Sequence, residues 1–364
     1  MGSPDRLERP AQRALLREFP AAHSGAPASA ASSNKRSRLS YHAAALALLS
    51  SMGFLLSTSM RDESPTTDET VHLTRGVAYY WGHAASLSYA HPPLGNALAA
   101  LPVVLREPAL DLTRSESYRL GQVDRVGREL LEDHYDARRR WFFQARSGVA
   151  LMAIGLAAYC YYLALQLFGP AAALCGLFFI ALNPTLIAHG RVMTTDMPVT
   201  VAMTISLGEL VLYLIGRARW HAATAALMFG AALITKYTAL ALVPLFGALG
   251  FGFAWFGLGR YAGSSRRSAL RAVAVLAVCF ACTGLFLINA VYGFDRTGLS
   301  VAEILQQPEP ENQITRGFKG TLLERRSPLK YAPEWLRVPL PYTYFYGATS
   351  ISVHDRSGHK SSFF

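Results

Sequence analysis

Four short stretches of this sequence hold residues whose types and spacing could do chemistry. The first is the carboxylate pair Asp68 and Glu69, directly after an apolar segment. The second is "HPPLG", with His91, Pro92 and Pro93. The third is "HGRVMTTDMP", with Arg191 and Asp196, and the fourth is "ITKYTAL", with Lys236 and Tyr237. A positioned carboxylate can accept a proton from an incoming hydroxyl. A lysine near a membrane surface can hold a phosphate as a point charge. Sugar transfer from a lipid phosphate needs both, a base for the acceptor and a cation for the leaving phosphate. Its oxocarbenium-like transition state also favours a nearby carboxylate. The sequence contains no Gly-rich nucleotide-binding loop, and a lipid-linked donor would not require one.

Each residue also has a plainer account. Asp68 could cap a helix that starts at Glu69. Asp196 could cap a helix that starts near Pro198. Lys236 could snorkel at a membrane interface, and "HPP" alone marks a turn. These accounts work singly, but none explains why all four stretches fall on one side of a membrane.

The sides follow from the elements that must position these residues. The chain has 364 residues, 51% hydrophobic and only 16% charged, with a mean hydropathy of +0.21. Soluble proteins carry about 25% charged residues, so the class expected is an all-α polytopic membrane protein. Seven segments approach the length needed to cross a bilayer: 41–60, 147–168, 171–189, 198–216, 220–235, 238–258 and 272–292. Residues 1–40 are Arg-, Ala-, Ser- and Pro-rich and read as a disordered cytoplasmic tail. The core then covers 41–292, with a long first outer loop at 61–146, and 293–364 follows as an extracytoplasmic segment.

Orientation rests on arginine and lysine. Lys35, Arg36 and Arg38 precede the first span, Arg217 and Arg219 follow the fourth, and Arg260, Arg266, Arg267 and Arg271 follow the sixth. A cytoplasmic N-terminus puts all three blocks inside, as the positive-inside rule asks. The net charge of +11 therefore reads as an orientation signal rather than a nucleic-acid footprint. Residues 94–105 are apolar but too short to span and contain Pro102, so they are expected as a surface or re-entrant helix. The four cysteines, Cys160, Cys175, Cys279 and Cys282, all lie in apolar runs and read as packing residues.

This arrangement resembles the GT-C membrane glycosyltransferases, and most of all the bacterial branch of the protein O-mannosyltransferase and aminoarabinose transferase group. The likeness rests on the acidic pair after the first span, "HPPLG", "TTDMP" and "TKYTAL", and covers the chain from about Tyr41 to the seventh span. It implies an inverting glycosyltransferase that moves a sugar from a polyprenyl-phosphate donor to an extracytoplasmic protein, lipid or glycan acceptor, in a bacterial inner membrane. It implies catalytic roles for Asp68, Glu69 and Asp196, donor-phosphate binding by Lys236 and Arg191, and a cleft shaped by His91, Pro92, Pro93 and Tyr237. No cofactor is required by it; a divalent metal is compatible with the carboxylates. Mannosyltransferases of this group often carry a lysine shortly after "HPPLG", where this chain has Asn96. Members also continue beyond a Gly-His segment like the one in "PYTYFYGATSISVHDRSGHKSSFF", so this stretch is expected as a loop of a larger enzyme and 293–364 as incomplete. The alternative class is a transporter or flippase of a lipid-linked sugar, disfavoured by the lack of an internal repeat. A third is a degenerate paralogue acting as a scaffold.

Overall fold

The computed structural model describes residues 28–61, 63–81, 87, 89–307 and 331–357. Among them the protein is built from helices, with one isolated bridge between Ser300 and Arg337. In chain order the helices are α1 (Ala28–Ser59), α2 (Thr67–Trp81), α3 (Leu94–Val104), α4 (Glu116–Arg119), α5 (Val123–Asp133), α6 (Tyr135–Phe168), α7 (Pro170–Ala181) and α8 (Pro184–Gly190). They continue as α9 (Asp196–Leu214), α10 (Trp220–Leu233), α11 (Leu242–Phe256), α12 (Arg266–Val291), α13 (Val301–Gln306) and α14 (Tyr342–Ser357).

Five stretches are long and apolar enough to cross a membrane: Leu39–Ser59, Tyr135–Phe168, Asp196–Leu214, Tyr237–Tyr261 and Arg266–Val291. Their outer faces carry large exposed apolar side chains, among them Phe54, Leu151, Val243, Phe251, Val275 and Phe286. Such a surface is costly in water and natural in lipid. The segment expected as a single span over 171–189 is a pair, α7 and α8, bent by 61°. Asn183 causes the break: its side chain accepts from Leu186 N–H at 3.0 Å and starts α8, with Pro184 in the first turn. The segment expected at 220–235 forms a 14-residue helix, about 21 Å long at 1.5 Å per residue.

Two apolar cores meet in the bundle. One joins α1, α2, α3, α6 and α7 around Trp141, Leu73 and Met52; the other joins α9, α10, α11 and α12 around Phe229, Leu233 and Phe280. α6 bridges them by packing on α9.

Three expectations change. Residues 28–40, expected within a disordered tail, belong to α1; their Ala, Arg, Lys and Leu are good helix formers, and residues 1–27 lie outside those described. The helix over 94–105, expected on the outer surface, is packed inside: Gly95, Asn96, Ala97, Ala99, Ala100 and Val103 are buried. Small residues permit this, as at close helix crossings in membranes. A Cβ on Gly76 of α2 would strike the Asn96 carbonyl oxygen and the Ala100 methyl; one on Gly148 of α6 would meet the Ala99 carbonyl oxygen at 3.1 Å. Finally, "PYTYFYG", expected as a loop, opens α14 and folds back on the bundle. Tyr342, Tyr344 and Tyr346 are buried, and Tyr344 stacks edge-on against Tyr237 with ring centroids 5.2 Å apart.

The α2–α3 crossing yields a prediction. Gly76→Ala will force these helices apart, because the obstacle is backbone. The expected loss is about 1–3 kcal/mol, read as a lower melting temperature of the full chain in detergent.

Candidate functional site

The site begins at the first turn of α2. Thr66 is the helix cap: its Oγ1 accepts from Glu69 N–H at 3.3 Å, and Glu69 Oε2 accepts from Thr66 N–H at 2.9 Å. This is a capping box. Asp68 is therefore not a cap. It stands exposed in the first turn, with no hydrogen bond or ion pair among the described residues.

Glu69 is held quite differently. It is fully buried, and both carboxylate oxygens meet Arg146 of α6: Oε1 accepts from Nε and Oε2 from an η nitrogen, each at 2.7 Å. Oε1 also accepts from Met193 N–H at 2.9 Å. The remaining Arg146 donors reach the carbonyls of Met60, Glu63 and Ser64. Burial alone would raise the Glu69 pKa; the Arg146 hydrogen bonds and the two backbone N–H donors outweigh it and hold the carboxyl below its ordinary value. Glu69 thus ties α2, α6, the end of α1 and the "TTDMP" loop together. It has no exposed face.

Asp196 starts α9 after Thr195, whose side chain makes no cap bond. Its carboxylate turns instead to Lys236, with Nζ to Oδ1 at 2.5 Å. Lys236 lies in extended backbone between α10 and a 3-10 turn over Tyr237–Ala241. The pair is partly exposed, 48% for Asp196 and 24% for Lys236. An ion pair so placed adds at most about 1 kcal/mol to stability, so its geometry, not its energy, is what matters. Pro92 and Pro93 are buried and lead into α3, and Leu94 N–H donates to Ile234 O at 3.0 Å. That bond fastens the start of α3 beside the Lys236 turn. Tyr237 is buried as well; its hydroxyl donates toward the carbonyls of Tyr344 and Tyr89 at 3.3 and 3.4 Å. It supports the wall of the site from behind.

Two imidazoles lie within electrostatic reach of Asp196. His72 of α2 and His91 have ring centroids 5.6 Å apart. His72 Nδ1 bonds Asn96 Oδ1 at 2.9 Å; the carboxamide oxygen can only accept, so Nδ1 carries the proton. Burial depresses the His72 pKa to about 4, with the Arg75 charge adding to it and Asn96, Asp68 and Asp196 opposing. Burial depresses His91 to about 3, with Arg75, His72 and Lys236 adding and Asp196 opposing. Both rings are neutral near pH 7. His91 Nδ1 and Asn96 Nδ2 are buried without a hydrogen-bond partner, which is uncommon enough to call for a reason. Arg75, 5% exposed, donates its Nε to Leu87 O at 3.0 Å. Burial lowers its pKa to about 10, with Asp124 and Asp68 opposing, so it stays cationic.

Arg191 stands apart. It pairs with Glu63 at 3.1 Å and reaches Ser59 O at 3.4 Å. No hydrogen bond or ion pair joins it to Lys236 or Asp196 among the described residues. The residues that sequence reasoning left out of the site are His72, Arg75, Asn96 and Arg146. The pattern Thr66-x-x-Glu69 was a usable signal for the capping box; nothing in the sequence marks Arg146 as the partner of Glu69, 77 positions away. Among the described residues no group of three or more His, Cys, Asp or Glu could hold a metal ion.

The buried imidazoles set a pH response. An unfolded His binds its proton near pH 6.5, while folded His72 binds it only near 4. Between these values the unfolded chain holds more protons, so stability falls as pH drops through that window. His72 alone accounts for a loss on the order of 3 kcal/mol. His72→Gln, which keeps a partner for Asn96, is expected to flatten the acid limb of melting temperature against pH; an unchanged limb would refute this.

No protein-family model, curated protein or solved structure matches the chain.

Proposed function

We propose that this protein is an inverting glycosyltransferase of GT-C type that uses a polyprenyl-phosphate sugar. The observation that carries the reading is that exposed Asp68, with no side-chain partner among the described residues, and the Asp196–Lys236 ion pair both act electrostatically on a pair of neighbouring neutral histidines. Its spans would be the five long apolar helices, the bent α7–α8 pair and α10. The positive-inside rule favours the Asp68 end outside, and the resemblance to the bacterial branch implies an inner membrane.

The step balances simply. The acceptor oxygen attacks the anomeric carbon while the bond from that carbon to the phosphate oxygen breaks. Asp68 takes the acceptor proton. The electron pair leaves on the lipid phosphate, where Lys236 offsets its charge. Asp196 holds Lys236 in place and helps orient the acceptor. His72 and His91 stay neutral here. Arg75 supplies a buried positive potential next to them. In this scheme Glu69 and Arg191 position the site, and the phosphate contact falls to Lys236. The extracytoplasmic acceptor is a protein, lipid or glycan.

Donor binding tests the scheme. A polyprenyl-phosphate sugar titrated onto the full chain in nanodiscs is expected to bind Lys236→Met about tenfold or more weakly than the unaltered chain. Unphosphorylated polyprenol should bind both alike. Equal affinity for the phosphorylated donor would remove Lys236 from the phosphate. A flippase is the second reading, favoured by the 61° break between α7 and α8, since broken helices mark many transporters. It predicts movement of the lipid without a new glycosidic bond.

A further inference from the structure

The opposite end of the bundle carries a second polar site. α9 has 19 residues and so runs about 28 Å from Asp196 to its far end. A short connection there, 215–219, leads into α10. Beside it lies a cleft of about 450 Å³, lined by Tyr213, Arg219, Arg260, Tyr261, Ser264 and Ser268.

We infer that this cleft binds a phosphate group, either a phospholipid headgroup or free phosphate. Three independent observations support it. The first is charge: two arginines line the cleft and no acidic residue does. Arg260 is fixed, its Nε on Tyr213 O at 2.9 Å, another nitrogen on Arg217 O, and its guanidinium 4.1 Å above the Tyr213 ring. The Arg219 side chain has no hydrogen bond or ion pair among the described residues, so its donors are open to a ligand.

The second observation is an unsatisfied donor. Tyr261 is 4% exposed, lines the cleft, and its hydroxyl has no hydrogen-bond partner among the described residues. A buried hydroxyl left without a partner is destabilising, and a bound phosphate oxygen would accept its hydrogen bond. The third is the start of α12. This 26-residue helix begins at Arg266 and Arg267 with no acidic residue in its first turn. Cations at the positive end of a helix dipole are unfavourable by themselves. An anion seated there reverses the balance, as at other phosphate-binding helix starts. Ser264 and Ser268 add hydroxyl donors at the rim.

The surroundings favour the lipid source. Trp220, Trp255 and Phe256 are exposed at this end, at 54%, 41% and 64%, as aromatic side chains are at a membrane–water boundary. The site is separate from the Asp196–Lys236 cluster and stands or falls independently of the transfer reaction.

Two arms test it on the full chain in detergent. The first is native mass spectrometry with added phosphatidylglycerol. The second is the shift in melting temperature caused by inorganic phosphate against chloride at matched ionic strength. Arg219→Gln and Tyr261→Phe are the variants. Without ligand, Tyr261→Phe should melt at or above the temperature of the unaltered chain, because it removes an unpaired hydroxyl. Both variants should bind about tenfold more weakly. A loss confined to the lipid arm identifies a headgroup; a loss confined to the phosphate arm identifies free phosphate. If the unaltered chain binds neither, or if both variants bind as well as it does, the inference is overturned.

Discussion

Glu69→Gln will cost the folded protein about 3–5 kcal/mol, the usual result of removing one member of a buried ion pair. The reason lies in what stays behind. Arg146 is 2% exposed and cannot reach water. Its carbonyl partners at Met60, Glu63 and Ser64 remain, but no negative charge offsets the guanidinium. The carboxamide also presents N–H where Arg146, Thr66 or Met193 now donates. The variant should melt well below the unaltered chain in detergent. The double variant Glu69→Gln with Arg146→Met removes both charges and is expected to recover part of the loss, so the two single losses will sum to more than the double. Additive losses would mean that the pair does not hold α2 to α6.

Asp68→Asn one position earlier will do the reverse. Asp68 is exposed and bonds nothing among the described residues, so stability should change by no more than about 0.5 kcal/mol. Sugar transfer should fall about 10²–10⁴-fold, the usual worth of a general base. In the proposed reaction adjacent carboxylates divide the work: Glu69 holds the backbone, and Asp68 would take the acceptor proton. A turnover assay and a melting curve on the same two preparations separate the roles. Loss of stability in Asp68→Asn, or full activity, would contradict this division.

The helical membrane character was legible because hydropathy over about 20 residues needs no tertiary information. What hydropathy missed was packing. Residues 94–105 look like a surface helix by length and Pro102, yet Gly76 and Gly148 open space for them inside the bundle. A glycine states that something comes close without saying what. Hydropathy also read 171–189 as continuous, although Asn183-Pro184 spells out a helix start. At the site, Asp196 and Lys236 were grouped by membrane side alone, and the structure places them in contact. The same grouping put Arg191 with Lys236, whereas its partner is Glu63. A shared side does not specify a pair. The contact between His72 and Asn96 was not legible, because neither is charged and it spans 24 positions.

The most direct test of glycosyl transfer is mass spectrometry of lipid-linked sugars from cells carrying the native gene or its Asp68→Asn variant. The account predicts that one polyprenyl-phosphate sugar accumulates in the variant, which would also name the donor. An unchanged pool of these lipids, with the variant protein present at normal levels, would contradict it.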